Sequence, residues 1–420
     1  MKTCYDLVIV GGGIIGAALA REMKMCFPAM TMAILEKESF LAAHQTGHNS
    51  GVVHAGIYYK PGSLKATLCV KGMKMAYSYF DKKGIPHKKC GKLIVATDLH
   101  QMEKLDSLYS NSLENGVDGV RLLDGNQIKE IEPFCKGLKA IHSSETGIVD
   151  WGLVTKHYCE DFVSLGGTVM QSFEVASISE NNVSSDTSNS SSNFPIKIVG
   201  KNNETIEAGY VCTCGGLYAD KLAMMTGCSA DPVVVPIRGE YLKLSKEKQH
   251  LINGNIYPIP DPRLPFLGVH FTPRMDGSIW VGPNAVLAFK REGYRWSDIN
   301  IHELKETLLH PSFQKLAWKY LSFGISEVAK SIFISLRVKQ LQKFIPDITS
   351  EDISRGPTGV RAQALDINGE FVDDFFFDSA KEGILSKRVL HCRNAPSPAA
   401  TSSLAIAEYL APKLKSHFGL

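Results

Sequence analysis

Apolar residues in the first 36 positions form two short runs, separated by a glycine-rich turn and a helical pattern. Residues 5–10 are almost continuously apolar, which is typical of a parallel strand buried on both faces. Residues 14–25 are rich in Ala, Leu and Met and predict a helix that ends near Pro28. A second apolar run, residues 31–35, ends at Glu36. The chain is therefore expected to begin with a βαβ unit.

Farther along, helical and strand patterns alternate at both ends of the chain around a β-rich middle. We expect helices over 63–82, 102–115, 301–344 (mostly helical) and 399–415, strands over 89–97, 173–179, 196–199 and 210–213, and an antiparallel sheet over 231–290. This order predicts an α/β chain (α+β overall) with a Rossmann-like domain interrupted by a second domain. The cofactor-binding domain is assigned residues 1–80, 142–230 and 350–420. The inserted antiparallel β-sheet and helical substrate or capping domain is assigned 81–141 and 231–349.

Composition excludes several classes of protein. The 420 residues are 44% apolar and 21% charged, which is typical of a globular enzyme and not of a disordered or coiled-coil chain. The net charge is only +3 and no basic stripe stands out, so no nucleic-acid partner is expected. No apolar run is long enough to predict a transmembrane helix. Residues 180–193 are polar and of low complexity, and we expect an exposed hairpin loop without a function there.

The ten cysteines are scattered along the chain without a CxxC pair. This spacing predicts reduced thiols in a non-oxidising compartment rather than a disulfide framework. Cys212 and Cys214 have no histidine or carboxylate at ligand spacing nearby, so no metal site is expected.

The clearest chemical motif is Gly11-x-Gly13-x-x-Gly16, which lies between the first predicted strand and the first predicted helix. In this context the glycines allow a tight turn, close approach of the backbone to a pyrophosphate, and packing of the helix on the sheet. Free N–H groups at the helix N-terminus favour the phosphate charge. Glu36, twenty residues after Gly16, can accept hydrogen bonds from ribose hydroxyls and disfavours a 2′-phosphate. The motif predicts a dinucleotide site.

Three further segments favour FAD over NAD. The segment 45–51 is a run of hydrogen-bonding groups suited to an isoalloxazine ring, and the segment 212–218 brings a second strand and glycine turn. At the C-terminal end, residues 393–401 lead into a helix with Ser397 as the expected N-cap and Pro398 in the first turn. A helix N-terminus aimed at the pyrimidine edge of the flavin would stabilise the reduced ring. Elements from three remote parts of the chain therefore indicate one FAD site.

Four blocks of the chain resemble L-2-hydroxyglutarate dehydrogenases. They are residues 44–61, 268–280, 356–363 and 393–401, and the resemblance extends over essentially the whole sequence. It implies a D-amino-acid-oxidase-like fold with FAD. It also implies oxidation of L-2-hydroxyglutarate to 2-oxoglutarate, with electrons passed to an acceptor other than NAD, such as a quinone. In eukaryotes it further implies a mitochondrial location, although no transit peptide is visible in this sequence; without one, the alternative location is cytoplasmic.

Oxidation of a 2-hydroxy acid requires a base for the hydroxyl proton and transfer of the C2 hydride to flavin N5. Histidine has a suitable pKa, and His54 is the first candidate, with His270 second. A dicarboxylate substrate requires two anion sites, for which arginine offers a bidentate clamp. Arg361 lies where related amino-acid oxidases hold the substrate carboxylate; the candidates for further substrate contacts are Arg274, Arg238, Tyr257 and Lys60.

The expected cofactor contacts come from all three elements. They are Gly11, Gly13, Ile14, Ile15, Gly16, Glu36, Lys37, Thr46, His48, Asn49, Ser50, Val175, Cys214, Gly215, Tyr218, Arg361, Asn394, Pro396, Ala399, Ala400 and Thr401.

Three other functions stay open at this point. A glycine- or sarcosine-type amine oxidase would share the fold and FAD, an NAD-linked dehydrogenase would use only the first motif, and a flavin-bearing scaffold would need neither base nor clamp. The apolar helical stretch 301–344 is either ordinary core or a surface that docks on a membrane, where a quinone would accept the electrons. The second alternative implies that the protein associates peripherally with a membrane.

Overall fold

The computed structural model of this chain describes residues 3–181, 193–261, 266 and 268–420. Most of the low-complexity segment 180–193 therefore lies outside the described residues, and so does the loop expected there. The ten cysteines are free thiols, as expected from their spacing.

The helices occupy most of the segments in which helical patterns were found. They are α1 Ile14–Cys26, α2 Leu64–Lys83, α3 Leu99–Glu114, α4 Gly125–Ile131, α5 Trp151–Ser164, α6 Ala219–Met224, α7 Ile301–Leu309, α8 Pro311–Lys319, α9 Leu321–Ile332, α10 Ile334–Leu341 and α11 Ala399–Phe418.

The strands are more numerous than the apolar runs indicated, and some are longer and others shorter than expected. They are β1 Cys4–Val10, β2 Met32–Leu35, β3 Val52–Val53, β4 His87–Lys88, β5 Lys92–Ala96, β6 Val120–Asp124, β7 Lys139–Ser143, β8 Gly147–Val149, β9 Thr168–Met170, β10 Val175–Glu180, β11 Ile196–Gly200, β12 Thr205–Thr213, β13 Val233–Leu244, β14 Asn255–Pro258, β15 His270–Pro273, β16 Ile279–Gly282, β17 Val286–Leu287, β18 Ile353–Leu365, β19 Phe376–Asp378 and β20 Val389–Asn394.

The first sheet has β1 at its centre, and this strand pairs in parallel with β2 on one side and β12 on the other. Val8 lies opposite Ala33 and Val211, and all three are fully buried. The strand β9 continues the sheet beyond β2, and β20 pairs in parallel with the end of β12. The carboxyl ends of β1, β2 and β12 therefore meet at one edge, where a doubly wound sheet binds its ligand.

Helices α1, α2, α5 and α11 pack together over this sheet. Leu19 of α1, Phe80 of α2, Phe162 of α5 and Leu410 of α11 are fully buried in one apolar cluster. The first and last helices of the chain thus pack against each other, which brings the N- and C-terminal segments to the same site.

The second sheet consists mainly of antiparallel pairs, with the strand order β17-β13-β16-β15-β14-β5-β7-β6. Only β5 and β14 run parallel within its described pairings. The strand β18 lies inside the segment 350–420, which the sequence assigned to the cofactor-binding domain, yet it pairs with β13 of this second sheet and sets Arg361 opposite Ile237. Together the two sheets confirm the α/β fold class, with the parallel sheet and the second, mainly antiparallel one joined around the site.

Helices α7 to α10 confirm the mostly helical pattern of residues 301–344. Within the described part of the chain, none of the helices combines the length and apolar character needed to cross a bilayer.

Candidate active site

The turn between β1 and α1 brings the chain close to a second strand end. Gly11 has a φ of +114°, and a Cβ at this position would lie 2.4 Å from the Cys214 carbonyl oxygen. A Cβ at Gly16 would lie only 2.0 Å from the Gly11 carbonyl oxygen. Both positions therefore require glycine, one for its backbone conformation and the other for close packing of the helix on the turn.

The N-terminus of α1 opens beside this turn. Its N-cap residue is Gly13, so no described side chain caps it from that position, and its first turn has no acidic residue among those described. The Ile14 N–H donates to Thr46 Oγ1 at 3.1 Å, which ties the helix start to the segment 45–51. A helix end of this kind suits a phosphate group.

Glu36 is held in place at the end of β2. Its side chain is buried, with Oε2 accepting a hydrogen bond from the Gly12 N–H at 2.7 Å and Oε1 accepting one from the Glu38 N–H at 2.9 Å. These bonds orient the carboxylate next to the turn. Carboxylate oxygens retain further acceptor capacity, so Glu36 can receive the hydroxyl groups of a ribose.

A cavity of about 820 Å³ begins at this turn and connects the three predicted elements. Of the sequence-predicted cofactor contacts, Gly16 alone does not line it, because it packs on the Gly11 carbonyl. The predicted contacts that do line it are Gly11, Gly13, Ile14, Ile15, Glu36, Lys37, Thr46, His48, Asn49, Ser50, Val175, Cys214, Gly215, Tyr218, Arg361, Asn394, Pro396, Ala399, Ala400 and Thr401.

The C-terminal element differs from expectation at its cap. Helix α11 begins at Ala399, with Pro398 as the N-cap residue, whereas Ser397 was expected to cap it. Pro398 has φ −102° and ψ 43°, which is not helical, so the helix starts one residue later. No described side chain caps this terminus, and its first turn lines the cavity. The positive end of a second helix therefore faces the same space.

A polar cluster lies near one end of the cavity. Lys37 Nζ contacts Glu38 and lies 2.5 Å from Glu292 Oε1, while His44 Nε2 lies 2.9 Å from Glu38 Oε1 and 3.0 Å from Glu292 Oε1. Glu38, His44 and Glu292 come close enough to offer three ligand atoms to a metal ion. The Lys37 ammonium contacts both carboxylates and would repel a second cation.

His54 and His270, the two histidines predicted as bases, both line the cavity. His54 follows β3, and its Nδ1 is buried without a hydrogen-bond partner among the described residues. Burial lowers the pKa of His54 well below its usual value, and a positive charge on Lys92 or His270 acts in the same direction to a smaller extent. The ring is therefore neutral at physiological pH and can accept a proton.

His270 lies at the start of β15 against an aromatic partner. Its Nδ1 donates to the Gly268 carbonyl oxygen at 2.9 Å, which leaves Nε2 as the proton-accepting atom. The ring stacks on Tyr257 with 4.1 Å between centroids. Burial lowers the pKa of His270 to about 3, so this ring is also neutral at physiological pH.

Arg361 projects into the cavity from β18. Its Nη1 donates to the Asn284 carbonyl oxygen at 3.3 Å, and its guanidinium lies 5.4 Å from the ring centre of Phe266. It forms no ion pair with any described carboxylate. Among the described residues only Nη1 of this guanidinium has a hydrogen-bond partner, and its other donors match a carboxylate ligand.

The other basic residues predicted to bind substrate lie elsewhere. Arg238 is fully buried, where Nη2 pairs with Glu240 at 3.1 Å and the guanidinium covers the Trp296 ring. Arg274 donates to the Asn49 carbonyl oxygen at 3.2 Å and stacks on Trp280. Lys60 is exposed. None of these three lines the described cavity, because the two arginines already have partners in the protein and Lys60 faces solvent.

Two groups that the sequence did not single out also line the cavity. Lys65, in the first turn of α2, lines the cavity without a hydrogen bond or ion pair among the described residues. Burial lowers the pKa of Lys65, while Asp373 and Asp374 act in the opposite direction. Tyr241 of β13 also lines it, next to Ser50. A lysine in the first turn of a helix opposes the helix dipole, and this unfavourable position of Lys65 could have been recognised from the sequence.

Comparison with known proteins gives a consistent result. Residues 6–412 match the family described as DAO, FAD dependent oxidoreductase. A curated relative from Homo sapiens, "L-2-hydroxyglutarate dehydrogenase, mitochondrial", is 52% identical over 99% of this chain and 90% of its own length. The relative of that name from Caenorhabditis elegans is 52% identical over 99% of this chain and 94% of its own length. "L-2-hydroxyglutarate dehydrogenase" from Indibacter alkaliphilus is 44% identical over 96% of both chains.

Solved structures show the same fold. L-alpha-glycerophosphate oxidase from Mycoplasma pneumoniae with FAD bound has a TM-score of 0.76 at 20% identity, covering 100% of this chain and 96% of that one. Glycine oxidase from Geobacillus kaustophilus has a TM-score of 0.68 at 17% identity, covering 99% and 95%. At these identities the likeness concerns the fold alone.

Proposed function

Because this chain belongs to the FAD dependent oxidoreductases, and within them to the L-2-hydroxyglutarate dehydrogenases, we propose that it oxidises L-2-hydroxyglutarate to 2-oxoglutarate. The observation that supports this most directly is a neutral His54, whose Nδ1 has no hydrogen-bond partner among the described residues, in the same cavity as Arg361, which has no ion pair among them. The first can take a hydroxyl proton and the second can bind a carboxylate.

The residues around the cavity fit FAD. Gly11 leaves the space that a close backbone approach requires, and the N-termini of α1 and α11 both open toward the cavity with no acidic residue in their described first turns. Glu36 is oriented for a ribose, and the buried Nδ1 of His54, a residue that lines the cavity, has no hydrogen-bond partner among the described residues. When bound, FAD supplies the acceptor for the hydride that leaves C2 of the substrate.

In the proposed reaction the chain's own residues bind the substrate and remove one proton. Arg361 holds the carboxylate next to C2, which fixes the hydroxyl group relative to the base. His54 accepts the hydroxyl proton, and its depressed pKa keeps it unprotonated before substrate arrives. His270 is the alternative base, through Nε2.

The second carboxylate of the substrate requires its own partner. We assign it to Lys65, which lines the cavity and has no hydrogen bond or ion pair within the described chain. Arg361 and Lys65 come from different parts of the fold, β18 and α2. Two cations on separate elements suit a dicarboxylate better than an amino acid with a single carboxylate. This arrangement favours L-2-hydroxyglutarate over glycine.

For the electron acceptor we propose a quinone in a membrane on which α9 docks. This helix has an inverted pattern of burial: Glu327 and Ser331 are buried, whereas one face exposes apolar side chains. We call this surface the apolar α9 face; it consists of Leu321, Ile325, Val328 and Ile332. Trp318 of α8 and Phe333 continue it and are 82% and 60% exposed. Contiguous exposed apolar side chains are typical of a membrane or protein contact.

We also propose a mitochondrial location, since the curated relatives from animals carry "mitochondrial" in their names. Expression of the full-length protein of the source organism with a C-terminal fluorescent tag, beside a mitochondrial marker, tests this. A cytoplasmic signal would contradict it.

The assignment of residues 1–80, 142–230 and 350–420 to a cofactor-binding domain, with 81–141 and 231–349 as the substrate or capping domain, is likewise a proposal. It is supported by the parallel sheet that β1, β2, β12 and β20 form. Limited proteolysis should give faster cuts within the second group of segments when FAD is bound. Equal protection of both groups would contradict the division.

The experiment that tests the function is an absorption spectrum followed by anaerobic addition of L-2-hydroxyglutarate, with D-2-hydroxyglutarate and glycine in parallel. We expect the flavin spectrum to be bleached by the L-hydroxy acid alone. Bleaching by glycine instead would make the chain an amine oxidase of the same fold. A flavin indifferent to every one of these compounds would refute the proposed substrate.

A further inference from the structure

A lysine that the proposed reaction does not use contacts Tyr257, which is one of the residues that line the cavity. Lys92 begins β5 and is only 2% exposed. Along this strand Leu93 and Val95 belong to one apolar core, while Ile94 belongs to the core that surrounds the cavity. Because side chains alternate along a strand, Lys92 points to the same side as Ile94, toward the site.

The Lys92 amine has aromatic neighbours and no described anionic partner. Its Nζ lies 4.1 Å from the ring centre of Tyr257 and 5.1 Å from that of Tyr58. Among the described residues it takes part in no hydrogen bond or salt bridge. The described titratable groups that act on it or face it come from five segments and include no carboxylate: His54 and Tyr58, Cys69 of α2, Cys90, Tyr257 of β14 and His270 of β15.

Burial without a counter-charge has a measurable consequence. Desolvation lowers the pKa of Lys92 to about 7, which is far below the usual value for a lysine. In the resting protein a large fraction of these amines is therefore neutral near pH 7.5. A negative charge placed in the cavity would reverse this, because an anion nearby favours the charged form.

Tyr257 connects Lys92 with the cavity in which such an anion would bind. Its ring covers Lys92 on one side, while the residue also lines the cavity together with His54 and Arg361. We propose that Lys92 becomes fully charged when the dicarboxylate binds, so that it acts through Tyr257 as a positioning residue and couples substrate binding to a pH-dependent uptake of protons. This inference rests on the proposed function only for the identity of the dicarboxylate.

The step is a simple protonation. A proton from solvent adds to the neutral Nζ and converts –NH₂ to –NH₃⁺, while the two carboxylates of the ligand stay ionised. A cation on the face of a tyrosine also makes its ring electron-poorer and its hydroxyl a better hydrogen-bond donor. The protonated lysine therefore favours an anion in the cavity that Tyr257 lines.

Isothermal titration calorimetry of the FAD-loaded enzyme with glutarate tests this coupling. Glutarate carries the two carboxylates of the substrate but has no hydroxyl group to oxidise. The dependence of the observed heat on the ionisation enthalpy of the buffer gives the number of protons taken up. With the pKa of Lys92 at about 7, uptake should be about 0.75 proton at pH 7.5 and about 0.1 at pH 6.

Three variants identify the group. Lys92→Met should abolish the uptake and weaken glutarate binding, and Lys92→Arg should abolish the uptake while binding stays independent of pH from 6 to 8, because a guanidinium is charged throughout. Lys88→Met, four residues away and exposed on β4, should behave as the wild type. Where Lys92→Met fails to fold, Lys92→Arg decides the matter, because it keeps a charged side chain of similar length but cannot take up a proton.

The outcomes separate this inference from the proposed function. Glutarate binding without proton uptake, or with uptake that persists in Lys92→Arg, overturns the role of Lys92 even when L-2-hydroxyglutarate bleaches the flavin. Failure of glutarate to bind also overturns it, since the described charge recognises carboxylates and not the hydroxyl. Proton uptake on glutarate binding without bleaching by L-2-hydroxyglutarate keeps the role of Lys92 and refutes the proposed reaction.

Discussion

The backbone N–H of His54 donates a hydrogen bond to Thr401 Oγ1 at 3.0 Å, which joins residues that are 347 positions apart in the chain. Thr401 lies in the first turn of α11, and both residues line the cavity. The candidate base is thus held against the helix end that closes the cofactor site. This bond requires the segment after β3 and the start of the last helix to lie side by side.

Replacing Thr401 with Val keeps the shape of the side chain but removes this acceptor. The backbone N–H of His54 then loses its hydrogen-bond acceptor, which costs about 1–3 kcal/mol of stability. We expect a lower denaturation midpoint and a kcat reduced roughly tenfold, corresponding to about 1.4 kcal/mol. Thr401→Ser keeps the hydroxyl and serves as the control. Equal midpoints and rates for all three proteins would show that the bond does not position His54.

His54→Ala should lower kcat by roughly a hundredfold or more while FAD stays bound, because it removes the proposed proton acceptor. His100→Ala, on the exposed surface of α3, is the matched control and should leave kcat unchanged. Stopped-flow bleaching of the flavin measures the step directly. Near-normal rates in His54→Ala, together with a loss in His270→Ala, would transfer the role to His270.

The pH dependence of kcat follows from the same residue. Burial lowers the pKa of His54 below 6.5, so its neutral, proton-accepting form is retained as the pH falls through that value. We expect kcat to be constant from pH 6.5 to 8 and to fall only below that range. A rate that rises through pH 6.5 to 7.5 would indicate a base with an ordinary histidine pKa.

Arg361→Lys should raise KM for L-2-hydroxyglutarate, since lysine keeps the charge but not the bidentate geometry. A charge-assisted hydrogen bond is worth roughly 1.5–3 kcal/mol, so an increase of about tenfold or more is expected. Lys60→Met, an exposed lysine outside the described cavity, should leave KM within twofold. An unchanged KM in Arg361→Lys would remove Arg361 from the substrate site.

The turn at Gly11 could be predicted from sequence because its requirements are local. A strand, a glycine spacing and a following acid define the motif, and the structure has each at the expected position. His54 and Arg361 could be selected from residue type and flanking motif, and both line the cavity. Whether they act as proposed is a matter for the variants above.

Arg238 and Arg274 show what local patterns cannot supply. Both have the right chemistry, but Glu240 pairs with one and the Asn49 carbonyl with the other. These partners are set by strand pairing and by contacts between remote segments. For the same reason β18 could not be assigned to the second sheet from its own sequence. Lys92 was overlooked although a lysine at the start of the apolar strand KLIVA was visible in the sequence.

Gly11→Ala tests the crowding at the cofactor turn. The new Cβ would meet the Cys214 carbonyl oxygen at 2.4 Å in addition to the strain of a φ of +114°. We expect the purified protein to carry much less FAD, measured by the ratio of absorbance at 450 and 280 nm relative to wild type. Gly62→Ala is the matched control, because its φ is also positive, at +78°, but nothing lies within 4 Å of its Cβ. Similar FAD content in both variants would show that crowding at Gly11 is tolerated.

The apolar α9 face offers a test of membrane docking that leaves the candidate site intact. Each exposed Leu or Ile that inserts into lipid contributes roughly 1 kcal/mol or more, so Leu321→Gln, Ile325→Gln and Ile332→Gln together should lower the vesicle partition coefficient by at least tenfold. Flotation with liposomes measures this, and turnover with a soluble dye as acceptor should stay at the wild-type rate.

The control triple variant Leu99→Gln, Leu113→Gln and Val163→Gln changes equally exposed apolar residues on α3 and α5 and should float as the wild type does. Undiminished flotation of the α9 variant would exclude this face as the docking surface, and a loss in both triple variants would attribute binding to general surface hydrophobicity.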